Sequence, residues 1–153
     1  MDALYTEEER LLRSTMREFA DGELAPNAAR WDENEEFPWA SVEAMKRIGL
    51  LGMTAATEHG GAGASYAELA IAAEEVARVC MASSTTLLAH LSLGVSTIDR
   101  FTNSEQAERF LPGACSGDKI VAWALSEPSS GSDAADMQTT AIKRTDDCYV
   151  ING

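Results

Sequence analysis

Apolar side chains recur every three or four positions through the first hundred residues, and this spacing predicts amphipathic helices. The first helix is expected to open at Thr6-x-x-Glu9, a capping box in which two side chains satisfy free amides of the first turn. A second capping box, Ser65-x-x-Glu68, is expected to open a helix that runs to about Met81. The same spacing predicts further helices at about residues 25–31, 38–49, 83–101 and 104–113.

The apolar faces of these predicted helices should meet in one core. The helix at 83–101 is apolar around more than one face, as a central helix would be. Gly49 is expected to stop the helix before it, and Pro112 to end or kink the last helix. The inward residues are predicted to be Leu12, Met16, Phe19, Trp39, Val42, Met45, Ile48, Leu69, Ala72, Ala73, Val76, Cys80, Leu87, Leu88, Leu91, Val95, Ile98, Phe110 and Leu111.

A glycine-rich loop, TAATEHGGAGA, occupies residues 54–64. A phosphate-binding glycine loop should follow an apolar strand, whereas this segment follows a predicted helix. The loop is therefore interpreted as a turn whose glycines take positive φ angles.

The period of the pattern changes after Gly117. Residues 120–125, IVAWAL, form a short apolar run that predicts a buried strand, and SEPSSGSD at 126–133 predicts a loop. Two further runs, 139–145 and 148–151, flank Asp146-Asp147 and predict a hairpin. The fold class is therefore mainly α: an amino-terminal up-and-down helical bundle (residues 1–119), then the first strands of an incomplete β-domain (residues 120–153).

Charge and cysteine content exclude several classes of protein. Twelve basic and 25 acidic residues give a net charge of −13, so the chain has no basic surface for a nucleic acid. Cys80, Cys115 and Cys148 are far apart and lack CxxC spacing, which argues against disulfides and a zinc site. No stretch approaches the ~20 apolar residues of a membrane span. The acidic amino-terminal segment argues against a secretory signal or transit peptide, so a cytoplasmic location is expected.

Few residues are candidates for chemistry. His59 lies in the glycine loop and His90 in an apolar helix, and neither has a carboxylate or thiol at a metal-ligand spacing. The default interpretation is a surface residue for His59 and a hydrogen-bonded core or cavity-edge residue for His90. The exceptional segment is WALSEPSSGSD at 123–133, whose hydroxyls and amides could bind an electron-rich ligand. On composition alone, an ordinary polar turn is favoured over a binding site.

The segment WALSEPSSGSD resembles the ALTEP or MSEP signature, followed by GSD, of the flavin-dependent acyl-CoA dehydrogenases. Four further segments agree in order: TEHGGAG at 57–63, EEVAR at 74–78, SLG at 92–94 and FLP at 110–112. YVING at 149–153 is similar to the strand that precedes the family's second flavin motif. The resemblance covers essentially the whole chain.

This resemblance implies an oxidoreductase of fatty acid metabolism that uses FAD and an acyl-CoA thioester. In the family a carboxylate removes the α-proton while the β-hydrogen leaves as hydride to flavin N5. The resemblance places Ser126 at the N5 edge, and Ser132 where cofactor and substrate meet. Acyl-pocket residues are expected on the helix at 83–101. The implied cofactor residues are Trp123, Leu125, Ser126, Gly131 and Ser132, and the implied substrate residues are Ser132, Thr86, Ala89, His90 and Leu93.

The resemblance also implies elements that lie beyond Gly153. These are a WIT-like or WIS-like strand and a carboxy-terminal helical bundle, which in most members supplies the catalytic glutamate and much of a tetramer interface. No catalytic residue is therefore assigned within this chain, which is expected to be inactive alone. Electron-transfer flavoprotein or a similar acceptor is the implied partner. A related flavin oxidase or monooxygenase, and a non-catalytic helical interaction module, are the alternatives.

Overall fold

A computed structural model describes residues 5–145 and 148–153. The chain divides into two compact units, Met1–Ala122 and Trp123–Gly153. The first unit is helical and the second contains a two-stranded antiparallel sheet, which confirms the predicted fold class. The domain boundary expected between residues 119 and 120 stays a prediction.

The helical unit contains α-helices joined by shorter π-helical and 3-10 segments. Helix α1 packs on α4, α4 packs on α5, and α6 packs on α7. The π-helical segments are Ala20–Leu24 and Ala89–Val95, and the 3-10 segments are Leu50–Gly52 and Thr57–His59. The α-helices are α1 Glu7–Phe19, α2 Ala25–Glu33, α3 Trp39–Arg47, α4 Tyr66–Val79, α5 Met81–Leu88, α6 Ser96–Phe101 and α7 Ser104–Cys115.

Both predicted capping boxes are present. The Thr6 hydroxyl accepts the Glu9 amide at 3.1 Å, and the Glu9 carboxylate accepts the Thr6 amide at 2.7 Å. Ser65 and Glu68 make the same pair of hydrogen bonds at the start of α4. Helix α7 is capped by Asn103 with Gln106, one residue earlier than the expected cap at Ser104. Local side-chain chemistry thus sets where these helices begin.

The core gathers most of the residues that the helical spacing predicts. Every predicted inward residue of α4 is buried, as is Cys80. The prediction is wrong for Trp39 and Ile48, which are 63% and 48% exposed. Both lie at the ends of the nine-residue helix α3, beyond the central turn that the core covers. Phe110 and Leu88 are also exposed, at 40% and 37%, whereas their neighbours Leu111 and Leu87 are fully buried.

Helix α7 continues through Pro112 to Cys115, so it does not end at Pro112, and the alternative expectation of a kink there stays a prediction. Proline removes one main-chain donor, and the carbonyl left without it is that of Glu108. Beyond the proline, the Ser116 amide still bonds the Pro112 carbonyl at 3.0 Å.

The loop at 54–64 is a turn, as predicted. Gly60 and Gly63 have φ angles of 86° and 65°, in the region that side chains rarely adopt. Gly61 is constrained by space instead, because a Cβ there would lie 2.1 Å from the Ala55 carbonyl oxygen.

Gly61→Ala is therefore expected to destabilise the helical unit by about 2 kcal/mol, since main chain must move to admit the methyl group. Gly22→Ala is the matched control, because a Cβ at this helical position meets no atom within 4 Å. The control should leave stability unchanged or raise it by up to about 1 kcal/mol. Urea unfolding of both variants measures the difference, and equal midpoints would contradict the steric argument.

The second unit contains the predicted hairpin. Strand β1 (Thr140–Lys143) pairs antiparallel with β2 (Tyr149–Asn152), with Thr140 opposite Asn152 and Lys143 opposite Tyr149. The predicted turn residues Asp146 and Asp147 lie outside the described residues. Residues 120–125 form no strand in the described part of the chain, so the prediction of a buried strand there is wrong. An apolar run forms a strand only where a neighbour accepts its main-chain hydrogen bonds, and no described segment does so here.

None of the described helices is long and apolar enough to cross a membrane.

Candidate functional site

The turn at residues 126–133 is closed by its own main chain. The Glu127 amide donates to the Ser130 carbonyl at 2.7 Å, and the Ser130 amide donates back to Glu127 at 3.2 Å. The Ser130 hydroxyl, on a buried side chain, donates to the Asp133 carbonyl at 2.7 Å. These bonds give the serine-rich segment a fixed shape.

Glu127 ties this turn to the hairpin. Its carboxylate accepts the amides of Gln138 at 2.7 Å and Thr139 at 3.0 Å, at the entry to β1. Hydrogen bonding from the Thr139 side chain, followed by the two amides, lowers the pKa of the Glu127 carboxyl. The carboxylate is thus occupied as a charged acceptor, which agrees with a turn-shaping role for Glu127.

The predicted cofactor residues lie on and just before this turn. Trp123 is 48% exposed, Leu125 is half-buried, and both Ser126 and Ser132 are exposed. Neither hydroxyl has a protein hydrogen-bond partner among the described residues. Gly131 lies beside Ser126: a Cβ on this glycine would stand 3.7 Å from the Ser126 hydroxyl oxygen. The turn therefore brings Ser126 and Gly131 together and leaves the hydroxyl accessible.

The predicted substrate residues of the helical unit separate into two groups. Thr86 and Ala89 are half-buried and Leu93 is 40% exposed, so an accessible side of the helical run carries all three. The Thr86 hydroxyl donates to the Ala82 carbonyl at 2.9 Å, which leaves its methyl group as the part free for apolar contact. His90 is fully buried.

His90 is bonded to main chain through both ring nitrogens. Its Nε2 lies 3.1 Å from the Leu51 carbonyl and 3.2 Å from the Ala114 carbonyl, and its Nδ1 accepts the Val121 amide at 3.1 Å. Burial lowers the pKa of the imidazole against the opposing effect of the two carbonyls. The geometry agrees with the interpretation of His90 as a hydrogen-bonded core residue, and a contact with substrate stays a prediction.

A buried carboxylate is the feature that the sequence analysis missed. Glu75 is 1% exposed and accepts hydrogen bonds from Arg13 and Arg17 of α1 and from Arg78 of its own helix. Arg17 contacts both carboxylate oxygens, at 2.8 and 2.9 Å. These hydrogen bonds, that of Arg17 above all, lower the pKa of Glu75 to about 2 although burial opposes them.

Comparison with known proteins gives one consistent result. Residues 6–118 match the family model described as acyl-CoA dehydrogenase, N-terminal domain. Over 153 residues the chain is 40% identical to the short-chain specific acyl-CoA dehydrogenase of Clostridium acetobutylicum. Over 155 residues it is 39% identical to the acryloyl-CoA reductase (NADH) of Anaerotignum propionicum. Both matches cover the whole of this chain, but only 40% of the Clostridium protein and 39% of the Anaerotignum protein.

The solved structures agree. The crystal structure of an acyl-CoA dehydrogenase complexed with FAD from Bacillus anthracis superposes with a TM-score of 0.84 at 34% identity. The match covers 99% of this chain and 26% of that one. The chain belongs to the acyl-CoA dehydrogenase family, and residues 6–118 are its amino-terminal domain.

Proposed function

We propose that this chain is the amino-terminal part of an FAD-dependent acyl-CoA dehydrogenase that introduces an α,β double bond into an acyl-CoA thioester. The observation that carries the proposal is the turn at 126–133, which is braced by Glu127 and exposes the Ser126 hydroxyl beside Gly131. A flat aromatic cofactor fits these residues, because an exposed indole, a free hydroxyl and a glycine without a side chain can be approached closely.

In this proposal each predicted site residue has a separate binding role. Bound FAD would supply the hydride acceptor of the reaction. Trp123 and Leu125 would offer apolar surface to the ring system, and Ser126 would donate a hydrogen bond at its N5 edge. Ser132 would bind where cofactor and thioester meet, with Gly131 leaving room there. Thr86, Ala89 and Leu93 would form part of the acyl pocket.

Further parts of the proposal concern the whole protein, since the chain spans about 40% of the length of the curated relative from Clostridium. They are a base on an additional helical bundle, a homotetramer, a cytoplasmic location and electron-transfer flavoprotein as acceptor. A second direction of reaction has specific support. The relative from Anaerotignum is named a reductase at 39% identity, so reduction of an enoyl-CoA is the alternative.

The test is a chimera that joins residues 1–153 to the remaining part of the Clostridium relative. It is expected to bind about one FAD per chain, and acyl-CoA thioesters should bleach the flavin absorbance. The 153-residue chain alone should bind FAD weakly, because it would supply only one wall of the site. A folded chimera without FAD, or with FAD that no acyl-CoA reduces, would contradict the proposal. Tight stoichiometric binding by the chain alone would contradict the one-wall arrangement.

A further inference from the structure

His90 forms hydrogen bonds to three main-chain groups through its two ring nitrogens. Its Nδ1 accepts the Val121 amide, whereas its Nε2 contacts two carbonyls, those of Leu51 and Ala114. An amide can only donate and a carbonyl can only accept. The ring is therefore in the neutral form with hydrogen on Nε2, and three segments of main chain fix its orientation.

Gly94 contacts Val121, the residue whose amide His90 binds. A Cβ at Gly94 would lie 2.6 Å from Val121 Cβ, so Val121 packs directly on the helix backbone at that position. His90 and Gly94 both belong to the π-helical segment Ala89–Val95, in which the Ser96 amide reaches back five residues to the Leu91 carbonyl. π-helical segments inside helices are frequent at functional sites.

Val121 stands just before the residues proposed to face the cofactor. Only one residue separates it from Trp123, and the Ser126 hydroxyl follows five positions after it. Residues 120–125 pair with no strand in the described part of the chain, so the imidazole supplies the acceptor that a neighbouring strand would otherwise give this amide.

We propose that His90 is a positioning residue: it anchors the Val121 amide and so fixes the main chain at the carboxy-terminal end of the helical unit, just before the segment proposed to bind the cofactor. Its partner in this is Gly94, which admits Val121 to the helix surface. The inference rests on the proposed function for its catalytic consequence, whereas the anchor itself is a property of the 153-residue chain.

Two substitutions distinguish the hydrogen bond at Nδ1 from those at Nε2. The Oδ1 of asparagine occupies the place of Nδ1, so His90→Asn keeps an acceptor for the Val121 amide and loses the donor to Leu51 and Ala114. The side-chain amide nitrogen of glutamine reaches the place of Nε2, so His90→Gln keeps the donor and loses the acceptor. Both variants lose part of the core packing, and stability alone therefore does not distinguish them.

The first readout is amide hydrogen exchange by NMR in the 153-residue chain. Exchange at Val121, measured relative to the core amide of Leu111, should accelerate roughly tenfold in His90→Gln. In His90→Asn the same ratio should stay within about threefold of the parent. Equal ratios in the two variants would overturn the anchor, because a merely structural histidine would loosen Val121 and Leu111 together.

The second readout uses the FAD-loaded chimera. At saturating acyl-CoA, His90→Gln should shift the flavin absorption spectrum further than His90→Asn does and should reduce its flavin roughly tenfold more slowly than His90→Asn. Parental behaviour of His90→Gln, with accelerated Val121 exchange, would overturn the positioning role. A parental chimera that binds no FAD would instead count against the proposed function, and the exchange ratio would still decide the anchor.

Discussion

Glu75→Gln is expected to lower the free energy of unfolding of this chain by about 3 kcal/mol. The carboxylate is buried and accepts hydrogen bonds from Arg13, Arg17 and Arg78, so it joins α1 to α4 through charge as well as packing. Glutamine keeps the volume but not the charge, and its NH₂ group would point toward guanidinium donors. The loss therefore combines a broken charge-assisted network with donors that face each other.

Glu74→Gln is the matched control, since it removes the same charge from the adjacent residue. The Glu74 side chain is 57% exposed and approaches Arg13 only to 3.7 Å. Its substitution should change stability by no more than about 0.5 kcal/mol. Urea unfolding at neutral pH measures the stability of both variants. Similar midpoints for the two would show that the buried carboxylate of Glu75 stabilises the fold no more than the exposed carboxylate of Glu74.

Acid should remove the advantage of the parent over Glu75→Gln. The pKa of Glu75 falls from its usual 4.5 to about 2 in the folded chain, so the unfolded state binds more protons between these values. The stabilisation is fully present above about pH 4.5 and is lost as the pH falls toward about 2. The stability difference between parent and variant should narrow over this window. A difference that stays constant would place the cause outside the titration of Glu75.

Ser126→Ala in the chimera is expected to slow flavin reduction by roughly tenfold to a hundredfold, which corresponds to about 1–3 kcal/mol. Its hydroxyl is accessible and lies beside Gly131, where the proposal puts the N5 edge of the flavin. The lost hydrogen bond would matter most as hydride arrives, so acyl-CoA binding should change less than the rate. Stopped-flow absorbance at saturating acyl-CoA separates the two quantities.

Ser129→Ala is the control for this experiment, because Ser129 is an exposed serine of the same turn with no proposed ligand contact. It should reduce its flavin within about twofold of the parental rate. Ser132→Ala should also weaken binding of the thioester, as expected of a residue where cofactor and substrate meet. Reduction of Ser126→Ala at the parental rate would make Ser126 an ordinary turn residue.

Much of the helical unit could be predicted because its signals are local. The boxes at Thr6 and Ser65 specify helix starts through side chains three residues apart, and the spacing in α4 selects its buried face. The errors arise where a distant partner decides. The exposure of Trp39 and Ile48 depends on how much of α3 the core covers, and the spacing of apolar residues within α3 does not encode this. A strand at 120–125 likewise depends on a neighbour, not on its own apolar residues.

The cofactor residues of the candidate site could be proposed from the sequence for a different reason. They lie within one short segment, 123–133, so a motif can name them without knowledge of the fold, and their roles stay predictions. The interactions of Glu75 and His90 could not be found in this way, since all their partners except Arg78 lie tens of residues away along the chain. One signal was available for Glu75: it falls three residues after Ala72 and four after Ile71, on the apolar face of α4. A charge on such a face usually has a partner.

The arrangement around Glu75 also bears on which substitutions the family fold can tolerate over time. Three guanidinium groups donate hydrogen bonds to one shared carboxylate, that of Glu75. Replacing any one arginine leaves the carboxylate with two arginine partners, whereas replacing the glutamate withdraws the acceptor from all three. Sequence drift should therefore be freer at positions 13, 17 and 78 than at 75.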